Sequence, residues 1–368
     1  MTFGVGIFKD IIEYIYSLDC KYPAIIYDKN LLKNEYCMEN LNLIQREYPN
    51  SYQIVNEFAG EPTYNYLEET RLKFKGNIPD LIIAIGGGST LDLGKGIALL
   101  LTNDVPALSL KGFPENVNDP LALMTVPSIF GSGSEVSYNA VFIDENEGKK
   151  LGINSKKNFP KKTLMDPLLT MSAPKSAVIS SAMDTLVHCI DSFGSKNNTF
   201  LSKIYSIAGF QKTFMALRNS DLSVSENRID LAIGSVLGVT ALMNSGDGPT
   251  NGFAYYFGVK NKIPHGLAGA IFLKEVMFWN YENGFLDYSK LVENECKGSV
   301  NDQNEYLFRE LNSLYKSLDI PSLRNFGYSQ SDIGSLAKES SEALSGSFSG
   351  NPIKFDKNSA EQILSQLI

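Results

Sequence analysis

Histidine is nearly missing from this chain: His188 and His265 are the only two. Any chemistry that needs an imidazole must use one or both. Cysteine is sparse as well. Cys20, Cys37, Cys189 and Cys296 show no C-x-x-C spacing, which argues against a thiolate zinc site or a disulfide frame and suits reduced thiols in a cytoplasmic protein. Excess positive charge is lacking: 33 Lys and Arg against 41 Asp and Glu leave a net charge of -8. Proteins that grip phosphate backbones cluster Lys and Arg, so nucleic acid is not expected as a partner. No apolar run approaches the roughly 18 residues that a membrane span needs. The first ten residues have no basic stretch and place Asp10 where apolar residues should continue, so a secretory signal is not expected either.

What is present is long enough for two domains. A chain of 368 residues exceeds what one core ordinarily fills. With 43% hydrophobic and 20% charged residues it has the composition of a soluble globular protein. Helical spacing over 7–17, 32–47 and 66–75 alternates with strand-like segments over 24–27, 53–55, 81–85 and 123–127. That order predicts a parallel, Rossmann-like doubly wound sheet. After Asp166-Pro167 the character changes: 174–194, 201–218, 224–244 and 265–280 carry helical periodicity. The chain therefore reads as an α/β domain over 1–170 followed by an all-α domain over 171–368, with the Ser/Gly-rich stretch 339–350 as a loop near the end.

Residues 81–96, LIIAIGGGSTLDLGKG, carry the strongest local signal. Leu81 to Ile85 read as a buried strand, three glycines turn the chain, and Ser89 stands where a helix N-cap belongs. Glycines let backbone N–H groups approach an anion closely, and a helix N-terminus adds partial positive charge. The turn matches neither G-x-G-x-x-G nor a P-loop, because Leu91 is not glycine and Gly94-Lys95 is followed by Gly96. A second glycine-and-hydroxyl cluster, Val126 to Glu135, follows another strand, and two such loops favour a pyrophosphate cradle. Asp28 ends the first strand. It could accept bonds from a ribose diol or be a solvated loop acid.

The two histidines fall in company. Asp184 and His188 are i and i+4 in one predicted helix, hence on one face. A simple hydrogen bond would satisfy them, and so would a metal. His265 opens a small-residue helix after Pro264 and could complete a three-ligand nitrogen and oxygen site with one position open.

In order along nearly the whole chain, these segments resemble the iron-containing alcohol dehydrogenase superfamily, which also houses glycerol dehydrogenases and dehydroquinate synthases. Residues 86–95 look like its G-G-G-S-x-x-D-x-A-K signature with Gly94 for Ala. Residues 127–135 look like its P-T-T-x-G-T-G-S-E loop, and Asp166 to Thr170 its D-P-x-L-T hinge. Residues 183–191 resemble its M-D-A-x-x-H-x-x-E helix, 264–266 its P-H-G, and Asn351-Pro352 its late N-P pair. The resemblance implies a nicotinamide dinucleotide in a cleft between two domains. Gly87, Gly88 and Ser89 would hold the pyrophosphate, with Asp92 beside the nicotinamide half and Ser128, Ser132 and Lys150 at further cofactor contacts. Asp28 matches an acid that favours NAD over NADP. A divalent metal, iron or zinc, would sit on Asp184, His188 and His265 and assist hydride transfer.

Three positions depart from the family pattern. Asn251, fourteen residues before His265, stands where the dehydrogenases place a fourth ligand, a histidine. An amide oxygen is an uncharged ligand better suited to hard cations than to Fe²⁺ or Zn²⁺. Tyr255 replaces another histidine near the nicotinamide, and Ile129 replaces a Thr of the second loop. Without metal, His265, His188 or Tyr255 would have to act as acid or base.

The resulting expectation is a cytoplasmic oxidoreductase using NAD(H) and a divalent metal, interconverting an alcohol and an aldehyde or ketone. The Asp184-Thr185-x-x-His188-Cys189 form of the helix motif resembles the branch acting on 3-deoxy-octulosonate sugars, and a phosphonoacetaldehyde-reducing branch is comparable. One alternative is a lyase similar to dehydroquinate synthase, in which bound NAD acts transiently. The lysines at 149, 150, 156, 157, 161 and 162 would then face an acidic substrate rather than form a solvated surface. Another is a nucleotide-binding protein whose metal site was lost through Asn251 and Tyr255. A homodimer or larger homo-oligomer is expected from the family.

Overall fold

Leu81 to Ile85 offer no polar face to water, and the fold buries all five. The computed structural model describes every residue except Ala59, Lys75 and Ser220. The chain forms two units, Met1–Pro174 and Lys175–Ile368.

The first unit contains ten strands: β1 (Thr2–Phe3), β2 (Pro23–Asp28), β3 (Tyr52–Asn56), β4 (Leu81–Gly86), β5 (Ala122–Pro127), β6 (Asn139–Ala140), β7 (Ile143–Asp144), β8 (Lys149–Lys150), β9 (Ile153–Asn154) and β10 (Lys162–Met165). Six form one sheet in the order β1-β10-β5-β4-β2-β3, parallel throughout. β6 with β9 and β7 with β8 make two small antiparallel pairs. Helices α1 (Ile11–Tyr16), α2 (Glu35–Glu47), α3 (Tyr64–Arg71) and α4 (Gly88–Leu100) cover the large sheet.

Alternate strand residues separate the two faces. Ile25, Ile83 and Ile85 share a core with Ile11, Ile15, Leu41 and Ile44 of α1 and α2. Ala24, Ile26, Ile82 and Ala84 pack with Leu67, Leu91 and Ile97 of α3 and α4. β2 is flanked by β3 on one side and β4 on the other, so the strand order reverses there. In a doubly wound sheet such a point opens a crevice beyond the strands' carboxyl ends. The register aligns those ends: Asp28 pairs with Asn56, and Gly86 with Pro127.

Some expected boundaries shift. Ile7–Asp10 is a 3-10 turn leading into α1, and Lys29–Lys33 is another before α2. The Asn34 side chain then caps α2 by accepting the Cys37 N–H at 2.8 Å. α3 ends at Arg71, and Lys75, the last residue of the expected helix, lies outside the described residues.

The second unit is helical: α5 (Lys175–Gly194), α6 (Phe200–Arg218), α7 (Ser225–Met243), α8 (Pro249–Asn261), α9 (His265–Glu282), α10 (Val300–Ser317), α11 (Ile333–Ala343), α12 (Ser345–Gly350) and α13 (Lys357–Leu367). Phe253, Phe257, Phe272, Phe348 and Phe355 lie in one apolar core shared by α8, α9 and α11–α13. The stretch 339–350 is not the loop its composition suggests, since α11 and α12 run through it. Its small residues serve close packing. A Cβ on Gly252 would come within 2.9 Å of the Ser347 Cβ, and one on Gly350 within 2.7 Å of the Asp247 carbonyl oxygen. Among the described residues no helix is long and apolar enough to cross a membrane.

Candidate active site

In the α/β unit the first glycine loop ends β4 and starts α4. Ser89 is not the N-cap. The helix begins two residues earlier, with Gly87 as N-cap and no side-chain cap, and Gly87 O accepts the N–H groups of Thr90 and Leu91 at 2.9 and 3.1 Å. Glycine at 87 and 88 lets the turn tighten before Ser89. The N–H groups of Gly88 and Ser89 precede the first of these bonds.

The second glycine loop lies directly against the first. A Cβ on Gly88 would stand 2.7 Å from Ser132 Oγ, and one on Gly87 would stand 3.2 Å from Ile129 Cγ2. Ser128 N–H donates to Gly86 O at 2.9 Å, which locks the ends of β4 and β5 together. Gly94, where the family carries alanine, has the Ala84 Cβ only 2.5 Å from the position its own Cβ would take. Glycine there is what lets α4 approach the sheet.

Asp92 and Lys95 are buried beneath these loops. The Asp92 carboxylate accepts from Ser134 Oγ and from Val141 N–H, and stands 3.4 Å from Lys95 Nζ. Lys95 donates to Ser134 Oγ at 2.8 Å and to the Asn139 carbonyl at 2.7 Å. Burial pushes the Asp92 carboxyl up and the Lys95 ammonium down, each opposed by the other's charge. Lys150 is held by Glu61, Nζ to Oε1 at 3.0 Å, and Glu61 is close enough to raise the Asp92 carboxyl further. Asp28, partly exposed at the end of β2, accepts the Asn30 N–H at 2.8 Å. Beside it in register, Asn56 donates to Thr90 Oγ1 at 2.9 Å. Asn56, Glu61 and Lys95 are members of this network that motif reading did not assign to the site.

In the helical unit three helices bring four donors together. α5 carries Asp184 and His188, α8 carries Asn251 and Tyr255, and His265 is the first residue of α9. The Pro-His-Gly motif has a steric reason. A Cβ on Gly266 would fall on the Ser180 carbonyl oxygen and within 2.9 Å of the Asp184 Cβ, and one on Gly269 within 2.8 Å of Val187 Cγ2. Only glycine lets α9 lie this close to α5 and set His265 beside Asp184.

Asp184 Oδ1 is 3.5 Å from His188 Nε2 and 3.7 Å from His265 Nε2. His265 Nε2 is 3.0 Å from Asn251 Oδ1. The Tyr255 ring meets the His265 ring edge-on, with centroids 4.7 Å apart. Two further acids support α8. Asp191, one more turn along the Asp184–His188 face, accepts the N–H groups of Gly248 at 3.1 Å and Asn251 at 2.7 Å. Burial pushes its carboxyl up to about 7 against that donation. Asp247 accepts from Ser347 Oγ at 2.9 Å, and burial raises it above the ordinary carboxylate range.

Residues 1–167 match the family model for iron-containing alcohol dehydrogenase, and residues 178–368 match the model for the C-terminal part of the same family. The chain belongs to the iron-containing alcohol dehydrogenase family. It is accordingly an alcohol dehydrogenase-type oxidoreductase. The 1,3-propanediol dehydrogenase of Citrobacter freundii is 28% identical to this alcohol dehydrogenase over 298 residues, 78% of this chain and 76% of that one. Among solved structures, a 1,3-propanediol oxidoreductase has a TM-score of 0.90 at 23% identity, covering 100% of this chain and 97% of that one. A sulfoacetaldehyde reductase from Bifidobacterium kashiwanohense in complex with NAD+ has a TM-score of 0.85 at 19% identity, covering 99% and 96%.

The donor set of this dehydrogenase can be tested against a metal. Among the described residues, His, Cys, Asp and Glu side chains form no group of three able to hold an ion, so the case for one rests on the pairwise spacings and on the Asn251 oxygen. The Asp184–histidine separations of 3.5 and 3.7 Å are too long for good hydrogen bonds. They are close to the roughly 3.4 Å between donors that each sit about 2.1 Å from a tetrahedral ion. His188 is buried, and its Nδ1 has no hydrogen-bond partner. These spacings, with Asn251 Oδ1 3.0 Å from His265 Nε2, would admit a divalent cation.

Proposed function

We propose that this enzyme moves a hydride between NAD(H) and a short alcohol or aldehyde. In this reading Met1–Pro174 is the dinucleotide-binding unit. Lys175–Ile368 holds a divalent ion, iron or zinc, on Asp184, His188, His265 and Asn251. One observation carries the reading: both histidines of the chain converge with an aspartate and an amide from three different helices.

In the α/β unit, Gly87, Gly88 and Ser89 would offer the first-turn N–H groups of α4 to the pyrophosphate. Ser128 and Ser132 would add polar contacts from the second loop. Asp28 would accept from the ribose hydroxyls, and its charge would repel a 2′-phosphate, favouring NAD over NADP. Asp92 would hold the second loop to α4 through Ser134, while Lys150 would stay within the same charged network through Glu61.

In the helical unit, a bound divalent ion would supply Lewis acidity to the substrate's hydroxyl or carbonyl oxygen, and the nicotinamide would take or give the hydride. Asp184 and His188 would present their donors from one rigid helix face. Tyr255 would keep the His265 ring oriented and cover one edge of it. The relative named for sulfoacetaldehyde and those named for propanediol suggest a short substrate, and sugar-acid or phosphonate alcohols belong in the same panel. The free cysteines fit a cytoplasmic setting, and a homodimer or larger assembly is proposed from the family.

The test is net NADH formation or loss with 1,3-propanediol, sulfoacetaldehyde and phosphonoacetaldehyde, before and after chelation and reloading with Fe²⁺ or Zn²⁺. The reading expects redox turnover with at least one substrate, lost on chelation and restored by reloading. Turnover of an acidic sugar phosphate with no net change in NADH would point to a lyase. Nucleotide uptake without turnover under any metal would leave only a binding protein.

A further inference from the structure

α8 begins where a helix usually finds a cap in its own sequence, and here the sequence supplies none. Gly248, its N-cap residue, has no side chain, and Pro249 at the next position has no N–H to satisfy. The N–H groups of Gly248 and Asn251 are taken instead by one carboxylate oxygen from another helix. Asp191 Oδ2 of α5 accepts them at 3.1 and 2.7 Å. A carboxylate there also meets the positive end of the α8 dipole.

The contact is built from both sides. A Cβ on Gly248 would stand 2.8 Å from the Asp191 carboxyl carbon, so glycine is what lets the chain come that close. Further along α5, two serines hold the turn that leads into α8. Ser192 Oγ accepts from Ser245 Oγ at 2.7 Å, and Ser195 Oγ donates to the Ser245 carbonyl at 2.8 Å. Asp184, His188 and Asp191 follow one another at helical spacing, so the face of α5 that carries an acid and an imidazole also carries the cap. Asn251 is then gripped at both ends. Its N–H is bound to α5 through Asp191, and its side-chain oxygen lies 3.0 Å from Nε2 of His265 on α9. An amide oxygen can only accept, so with no ion between them a neutral His265 keeps its proton on Nε2.

We infer that Asp191 is a positioning residue: by capping α8 from α5 it fixes the height of Asn251, and with it the meeting of Asn251 Oδ1 and His265. The contact itself needs no metal, but its use to the enzyme rests on the proposal that Asn251 and His265 are donors to an ion. Both hydrogen bonds fall on one oxygen of Asp191. An amide oxygen in its place can accept them, and an apolar side chain cannot.

Having only two histidines makes the test direct. Histidine labelled with nitrogen-15 in the full-length protein gives NMR signals from two imidazoles, and His188→Ala assigns them. In chelated protein at alkaline pH the bonded Nε2 proton of His265 should resonate downfield. Asn251→Ala should move it upfield or lose it to exchange with water. Asp191→Leu is expected to cause most of the same change, Gly248→Ala part of it, and Asp191→Asn little. In an Asn251→Ala background Asp191→Leu should add no further shift. Circular dichroism and melting confirm that each variant is folded, and Gly248→Ala carries the comparison if Asp191→Leu does not fold. A His265 signal unmoved in the folded variants would overturn the inference. So would an equal change with and without the Asn251 amide. Titration with Co²⁺ tests the proposal beneath it, with binding expected to weaken roughly tenfold in Asp191→Leu. Failure of the unsubstituted protein to bind Co²⁺ would remove the metal proposal, and the imidazole signals would still decide the positioning.

Discussion

In the α/β unit the buried ion pair is surrounded by partners from the chain, whereas the helical unit buries an imidazole, His188, with one ring nitrogen unmatched. Lys95 and Asp92 have Ser134, Val141 and the Asn139 carbonyl around them at hydrogen-bonding distance. Asp184 and the two imidazoles stand 3.5 and 3.7 Å apart, and His188 Nδ1 has no hydrogen-bond partner. A polar network completed by its own side chains rigidifies a scaffold. One left incomplete in a buried place calls for a further partner. The contrast separates the parts of each motif that shape a loop from the parts that face chemistry.

The largest test of the contrast removes His188. His188→Ala should abolish bound metal and lower kcat/KM by roughly 10³-fold, since several kcal/mol of Lewis-acid assistance disappears. NADH affinity should stay near its original value. Elemental analysis beside steady-state kinetics and a NADH titration reads both sides, and an equal loss of NADH binding would break the separation.

The converse change targets the glycine loops. Gly88→Ala places a Cβ 2.7 Å from Ser132 Oγ, so Ser132 must turn its hydroxyl away or the two loops must part. NADH should then bind roughly tenfold or more weakly, about 1.4 kcal/mol, with metal content untouched. Fluorescence titration of NADH measures it. A smaller effect is expected from Asp28→Asn, which removes the charge facing a 2′-phosphate. The ratio of NADH to NADPH affinity should fall several-fold, roughly the value of one exposed charge contact.

The smallest effect comes from a polar group outside both sites. The Asp302 carboxylate accepts the N–H and the hydroxyl of Ser299 at the start of α10, and those bonds hold its carboxyl below the ordinary value. A carboxyl lowered on folding contributes stability above its unfolded pKa, near 4. That contribution fades as pH falls through the lower folded value. Asp302→Asn should therefore lower the Tm slightly at neutral pH and flatten its fall in acid, without altering activity.

Legibility differs between the units for the same reason. β2, β4 and β5 declare themselves because a strand covered on both faces must be apolar throughout. The glycine loops declare themselves because only glycine tolerates the approach of Ile129 and Ser132. Asp184, His188 and His265 stand out through rarity and spacing. Asp191 carried a usable signal, falling on the same helical face as Asp184 and His188. α8 did not: its first turns are buried on nearly every side, so no polar stripe marks them. The serines and glycines of α12 imitate a loop because close packing and chain freedom select the same small residues. Gly246-Asp247-Gly248-Pro249 reads as a turn, and Asp247 gains its partner only from Ser347, a hundred residues later.

The donors at 184, 188, 251 and 265 lie on α5, α8 and α9, and the unfolded chain keeps no more than the first two near each other. An ion that needs all four recognises only the folded helices. Its binding energy is then folding energy: each tenfold rise of free ion above Kd adds about 1.4 kcal/mol to the helical unit. With an ion bound there, glycine at 266, by admitting α9 to α5, would tie the thermal endurance of this half of the protein to the metal supply around it.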